Sequence, residues 1–245
     1  MGMEFVDLTL EPPRAGAPMI NAKELSTVLS DSGLKVVGHT AWYLPIASPF
    51  ESLRRGAVEE LKHCLKVFGQ LGASWMNVHP GRQPPLHDWA YTIERNLQSL
   101  RELLPVARDC GVGLMLENIP GEYNTAGELA GLLEPLPEVG LHLDIGHANL
   151  VLKGNTTEDI LAAFSSRLRH VHLHDNKGGQ ADLHLPLGTG TLDLSHSLRL
   201  LRAGGYDGTI TLEVFAPDQR FLALSRDILR REWEAAGVGG ERSSG

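Results

Sequence analysis

The hydrophobic pattern of this chain repeats one unit: a short apolar run, then a longer segment with helical spacing. Strand-like runs cover Phe5 to Leu10, Lys35 to His39, Trp75 to His79, Gly113 to Glu117, Gly140 to Asp144, His170 to His174 and Thr209 to Val214, seven in all. Helical spacing fills Ala22 to Ser32, Pro49 to Leu71, His87 to Cys110, Ala126 to Leu133, Thr157 to Arg167, Leu194 to Ala203 and Asp218 to Ala236. Gly33, Gly72, Gly111, Gly154 and Gly204 stand near the expected helix ends, where C-terminal caps favour glycine. Strict alternation of strand and helix predicts a parallel sheet with helices outside it.

Six of the runs end on a side chain able to hold a metal: VVGHT at His39, WMNVHPG at His79, GLMLEN at Glu117, GLHLDIGH at Asp144, HVHLHD at His172 and TITLEVF at Glu213. Side chains of a strand alternate between its faces, so each polar residue shares parity with one wall while Leu, Val and Ile fill the other. In parallel strands these groups converge on one end of a common interior, and a cation is the least costly companion for so many imidazoles and carboxylates. The pattern predicts an α/β fold, a (β/α)8-type TIM barrel with seven strands read and the first β/α unit lacking or rearranged. An open sheet edge there favours a homodimer.

Composition sharpens this picture only modestly. At 245 residues with 42% hydrophobic positions, the chain suits one large core, expected over residues 1–236, with a disordered Gly- and Ser-rich tail over 237–245. A net charge of -8 gives no global attraction to nucleic acid or anionic membrane, although it leaves room for a local basic cleft. Cys64 and Cys110 fall in helical stretches and make no disulfide framework. With no signal peptide and no apolar run of about 18 residues, the cytoplasm is the expected compartment.

Glu117, Asp144, His172 and Glu213 together offer carboxylate oxygens and an imidazole, a set suited to Mn²⁺ or Zn²⁺ with positions left for water or substrate. His39 and His79 can share Glu117 to hold a second ion, and His147, Asp182 and His184 can hold a third. One to three ions are therefore compatible with the donor count. Without a counter-ion these carboxylates would be several buried charges, which is expensive. His142 and His170, lower in their strands, read as satisfied interior groups, and His63, His87 and His196 as surface or packing residues on helices. Trp75 reads as core, and the pair Gly188 and Gly190 as a simple turn before a phosphate cradle.

The motifs GHTAWYLPIAS, NVHPG, LENIPG, LDIGHANL, HLHDNKGG, DLHLPLGTG and TLEVF resemble, in order, those of the xylose isomerase-like barrels, which include sugar isomerases and epimerases and endonuclease IV-type AP endonucleases. The similarity runs from about Phe5 to Phe215. It implies Glu117, Asp144, His172 and Glu213 as ligands of the shared metal, and His39, His79, His147, Asp182 and His184 as the further zinc ligands of the endonuclease branch. HLHDNKGG followed by HLPLGTG is similar to the sugar phosphate isomerase/epimerase-like branch, whereas the endonuclease branch usually has Asn where this chain has His174.

The resemblance implies a metal-dependent isomerase or epimerase of a sugar or sugar phosphate, working by proton transfer through a metal-bound enediolate. Glu117 and Glu213 would exchange the proton, His147 would orient hydroxyls, Trp42 or Tyr43 would stack on a sugar face, and Lys177 would meet a phosphate. The runner-up is an endonuclease IV-like zinc-dependent phosphodiester hydrolase, an AP endonuclease, against which the acidic composition and short loops count. A third reading, a binding protein that keeps the metal site without turnover, is opposed by the intact Glu117 and Glu213.

Overall fold

The computed structural model describes residues 2–238. These residues group into two compact units, 2–117 with 130–140, and 118–129 with 141–238.

The first unit carries β1 (Phe5–Leu10), α1 (Ala22–Asp31), β2 (Lys35–Thr40), α2 (Glu51–Gln70), β3 (Trp75–Val78), α3 (Trp89–Cys110) and β4 (Gly113–Glu117). Its strands pair in parallel and in chain order, with Thr9 opposite His39 and Val78 opposite Leu116. Leu114, Met115 and Leu116 are all buried, so both faces of β4 are covered, as a parallel sheet requires. Leu61, Leu65 and Phe68 of α2 and Leu100 and Leu103 of α3 are buried with them, each side chain contributing about 1.5–3 kcal/mol. Gly38 serves this packing: a Cβ there would press on the Phe68 ring at 2.9 Å, so glycine lets α2 close on β2 beside His39. Asn21 and Asp88 cap α1 and α3 through the backbone N–H of Glu24 and Tyr91.

The α4 helix (Ala126–Leu133) runs across the division between the units. The second unit carries β5 (Gly140–Asp144), α5 (Ile145–Ala148), α6 (Thr157–Phe164), β6 (Leu168–Leu173), α7 (Leu194–Ala203), β7 (Thr209–Leu212) and α8 (Arg220–Val238). β5, β6 and β7 are parallel, with Asp144 opposite His172 and Leu173 opposite Leu212. Seven strands are thus described, and their alternation with helices follows the expected pattern.

The differences from expectation lie at element ends. β3 stops at Val78 and β6 at Leu173, which puts His79 and His174 in the loops that follow. β7 stops at Leu212, yet the Glu213 N–H still donates to Leu173 O at 3.1 Å, so the carboxylate stays anchored to the ladder. The single turn α5 comes directly after β5 because Asp144 caps it, its carboxylate accepting from the His147 N–H at 2.8 Å. The expected helix over Thr157 to Arg167 breaks after Phe164 and finishes as a 3-10 turn. Gly33, Gly72 and Gly111 take the left-handed conformation, while Gly204 stays right-handed and Gly205 takes that role. Gly237 and Val238 still belong to α8, and the rest of the expected tail lies outside the described residues. Among the described residues no helix is long and apolar enough to cross a membrane.

Candidate metal centre

In the first unit, β2, β3 and β4 deliver His39, His79 and Glu117 to one another. Glu117 Oε2 lies 2.9 Å from His79 Nε2 and 3.6 Å from His39 Nε2, and it accepts from Asn77 Nδ2 at 2.5 Å. The two imidazoles meet edge to face with centroids 5.0 Å apart. Glu117 is 1% exposed, so the cost of burying its charge falls on these three neighbours. Asn77, two residues before His79 and on β3, is a contributor that sequence reasoning missed, since it sat unremarked inside WMNVHPG.

The second unit holds Asp144, His147, His172, His174, Asp182, His184 and Glu213. His172 Nδ1 lies 3.2 Å from Glu213 Oε2 and 3.9 Å from Asp144 Oδ2. Asp182 Oδ2 lies 3.2 Å from His147 Nε2 and 3.1 Å from His184 Nε2. Asp144 and His172 are buried, whereas the Glu213 and Asp182 side chains are 22% and 34% exposed. Those two carboxylates are the ones a solute can approach.

Behind Asp144 stands an amide relay that the sequence did not reveal. The Asn118 side chain accepts from the Asp144 N–H at 2.7 Å and donates to its carbonyl at 2.9 Å. It also donates to Asn124 Oδ1 at 3.1 Å, and Asn124 in turn donates to the carbonyls of His147 and Leu150. Both asparagines are fully buried, and they fix the backbone from which Asp144 and His147 project.

The donor set fits a cation. His147 Nδ1 meets Asn118 O at 2.9 Å and His184 Nδ1 meets Glu213 O at 3.0 Å, so each ring donates that N–H to a carbonyl. When such a ring carries only that one N–H, its Nε2 is an acceptor, and both Nε2 atoms face a carboxylate oxygen of Asp182. Acceptor against acceptor repels unless something positive joins them, and ligating histidines characteristically spend their other N–H on such a carbonyl. Burial alone would raise the Asp182 pKa, but positive charge and N–H donation at the His147 and His184 Nε2 positions, which protonated rings would supply, outweigh it and hold the carboxyl below its ordinary value; a cation seated there would act in the same direction. For His174 burial works downward, and the nearby Asp144 carboxylate prevails and raises it.

The remaining sequence-derived candidates are located unit by unit. Trp42 and Tyr43 are exposed in the first unit, their rings edge to face at 5.8 Å, and a hydrogen bond with Glu11 raises the Tyr43 pKa. Lys177 is exposed in the second unit. Both nitrogens of His170 meet hydroxyls, Thr209 at 2.6 Å and Thr211 at 2.9 Å, in keeping with an interior role. Gly188 and Gly190 do not cradle an outside anion: their N–H groups donate to Asp175 Oδ2 at 3.0 and 2.8 Å, so the turn closes on a carboxylate of this chain.

Comparison with known proteins agrees with this architecture. The family model described as Xylose isomerase-like TIM barrel matches residues 1–234. An uncharacterized protein of Methanocaldococcus jannaschii is 32% identical over 227 residues, covering 87% of this chain and 75% of that protein. A protein of Aquifex aeolicus named Probable endonuclease 4 is 26% identical, covering 96% of this chain and 90% of its own length. A solved structure titled D-tagatose 3-epimerase-like protein superposes with a TM-score of 0.87 at 26% identity, over 98% of this chain and 91% of that one. With the strand-end donors in family order and the model matched along nearly the whole chain, the protein belongs to the xylose isomerase-like TIM barrel family.

Proposed function

We propose that this protein is a divalent-metal-dependent isomerase or epimerase of a sugar or sugar phosphate, moving a proton at the carbon beside a carbonyl. The observation that carries the reading is the contrast around β6: Asp144 and His172 are buried, while Glu213, 3.2 Å from His172 Nδ1, keeps 22% of its side chain open. A carboxylate held by a buried imidazole yet reachable from outside is the group that can both touch a ligand sphere and meet a substrate C–H. The likeness to a D-tagatose 3-epimerase-like protein supports the same chemistry.

In this reading Glu117, Asp144, His172 and Glu213 hold Zn²⁺ or Mn²⁺, their mixture of oxygen and nitrogen donors suiting either ion. When bound, the ion polarises the carbonyl of a ketose and acidifies the adjacent C–H. Glu213 removes or returns the proton and Glu117 acts as its counterpart, as paired carboxylates do in acid–base work. Asp144 keeps its charge fixed by capping α5 through the His147 N–H and by the Asn118 clamp on its backbone. Trp42 and Tyr43, exposed and mutually perpendicular, offer an aromatic face for a sugar ring, and exposed Lys177 offers a charge for a phosphate.

The second reading, phosphodiester hydrolysis of the endonuclease IV kind, draws on the His39, His79 and Glu117 group, on the His147, Asp182 and His184 group, and on the likeness to Probable endonuclease 4. Against it stands the charge: 30 acidic residues to 22 Lys and Arg leave little to hold a polyanion. Metal-loaded protein is therefore incubated in parallel with a panel of ketoses and ketose phosphates and with a duplex bearing an abasic site. A new epimer or aldose in the first arm with an intact duplex supports the proposal; strand cleavage with every ketose unchanged replaces it by the hydrolase.

A further inference from the structure

We propose that His174 is the fourth ligand of a closed metal site made with His147, Asp182 and His184, and that the ion there is structural. The inference rests on donor geometry within the second unit and not on the isomerase reading. One donor atom from each of the four residues lies within 4.8 Å of the other three. The Nε2 atoms of His147 and His184 stand 3.2 and 3.1 Å from Asp182 Oδ2, and that of His174 stands 3.6 Å from Asp182 Oδ1. Donors bonded tetrahedrally at about 2.0–2.1 Å to one zinc ion are separated by about 3.3–3.4 Å, so each imidazole already stands near coordination-shell spacing from a carboxylate oxygen.

Orientation argues the same way. His174 Nδ1 meets Asp175 O at 3.3 Å, which repeats what His147 does with Asn118 O and His184 with Glu213 O. All three rings thereby spend one N–H on a backbone carbonyl and turn Nε2 inward, the arrangement that fixes ligating tautomers. His174 is fully buried, and its Nε2 has no hydrogen-bond partner among the described residues. Room for the ring is built in: a Cβ on Gly146 would overlap His174, so glycine in DIGH and histidine in HLHD are matched. His184 adopts φ +45°, a left-handed conformation uncommon outside glycine, and its ring lies flat against Phe215 with centroids 4.3 Å apart. Backbone in this region is retained where surrounding interactions hold it there.

Three imidazoles and one carboxylate satisfy four-coordinate zinc and leave no position for water, which is the signature of a structural site and not of a hydrolytic one. The assignment makes His147 a ligand and withdraws it from the sugar hydroxyls. It also turns the departure at His174 from the usual Asn of the endonuclease-like pattern into the residue that closes the site.

The competing account has His174 merely bonding Asp144, whose Oδ1 is 3.4 Å from Nε2. Full-length protein stripped with chelator and reconstituted with Co²⁺ separates the two. The proposal expects the strong visible absorption of four-coordinate cobalt in the wild type. His174→Asn should lose that band and one equivalent of ion, with affinity falling by more than the ~10–100-fold that loss of an outer partner causes. Asp182→Asn, on a residue whose side chain is 34% exposed and so tolerant of change, should lose the same band, which keeps the test open if His174→Asn fails to fold. A weak, six-coordinate spectrum in the wild type, or unchanged stoichiometry and band in folded His174→Asn, overturns the proposal. An intact band without any substrate C–H exchange would defeat the isomerase reading alone.

Discussion

Replacing Asn118 by Ala separates two roles of one side chain, stability and alignment of Asp144, which the proposed function makes a metal ligand. The Asn118 side chain makes three buried hydrogen bonds: it accepts from the Asp144 N–H at 2.7 Å, donates to Asp144 O at 2.9 Å and donates to Asn124 Oδ1 at 3.1 Å. At about 1 kcal/mol per bond the loss is about 3 kcal/mol, and the orphaned Asp144 N–H, sealed from water, carries it toward about 5 kcal/mol. For a chain of 245 residues that corresponds to a fall in Tm of roughly 6–20 °C. Thermal unfolding in excess chelator reads this term without any metal contribution. Titration of the folded variant with Zn²⁺ reads the second, and because Asn118 fixes the backbone that aims Asp144, affinity should fall by ~10–100-fold. A Tm within about 2 °C of wild type would show that the relay is not a structural clamp. Normal stability lost but metal affinity retained would show that Asp144 needs no such support.

Other consequences can be checked independently. Burial lifts the Cys64 thiol to about 12, so native protein should leave it unlabelled by thiol reagents at pH 8 while denatured protein titrates two thiols. Gly190→Ala should cost about 1–3 kcal/mol, because the new methyl would overlap Asn176 O and Asp175 Oδ1 where the turn is pinned; unchanged urea denaturation would contradict this. Hydrogen bonds from Arg54 and then Arg95 lower the Glu51 pKa from 4.5 to about 2. Since the folded value lies below the unfolded one, this contribution is complete above about pH 4.5 and lost as pH falls toward about 2. Glu51→Gln should therefore flatten the acid limb of a Tm-versus-pH curve in that window and leave its shape near pH 7 alone.

Much of the fold was legible because parallel strands buried on both faces advertise themselves as apolar runs: Gly113–Glu117 and Gly140–Asp144 begin and end where the pattern placed them. The polar residues closing those runs were legible for the same reason, since Glu117 and Asp144 interrupt otherwise apolar stretches. What escaped was whatever depends on the chain after the strand ends. Period-two alternation says nothing about α5, whose single turn exists because Asp144 caps it, nor about the left-handed backbone that redirects His184. Asn77 and Asn118 passed as neutral residues beside more conspicuous neighbours, although their amides orient Glu117 and Asp144. His174 was legible only as a departure from one branch of the family, and nothing in the sequence places its ring against that of His184, with centroids 4.0 Å apart. Gly188 and Gly190 show the reverse, a pair with phosphate-binding character whose N–H groups are taken by Asp175.

The most direct trial of the central claim follows solvent deuterium into substrate. Metal-loaded wild type, incubated in D₂O with each member of the ketose panel, should place deuterium on the carbon next to the carbonyl of at least one sugar. Glu213→Gln, loaded with the same ion, should abolish that incorporation. Exchange that persists undiminished in Glu213→Gln, or its absence from every ketose with fully loaded wild type, would contradict the assignment of this protein to proton-transfer chemistry on sugars.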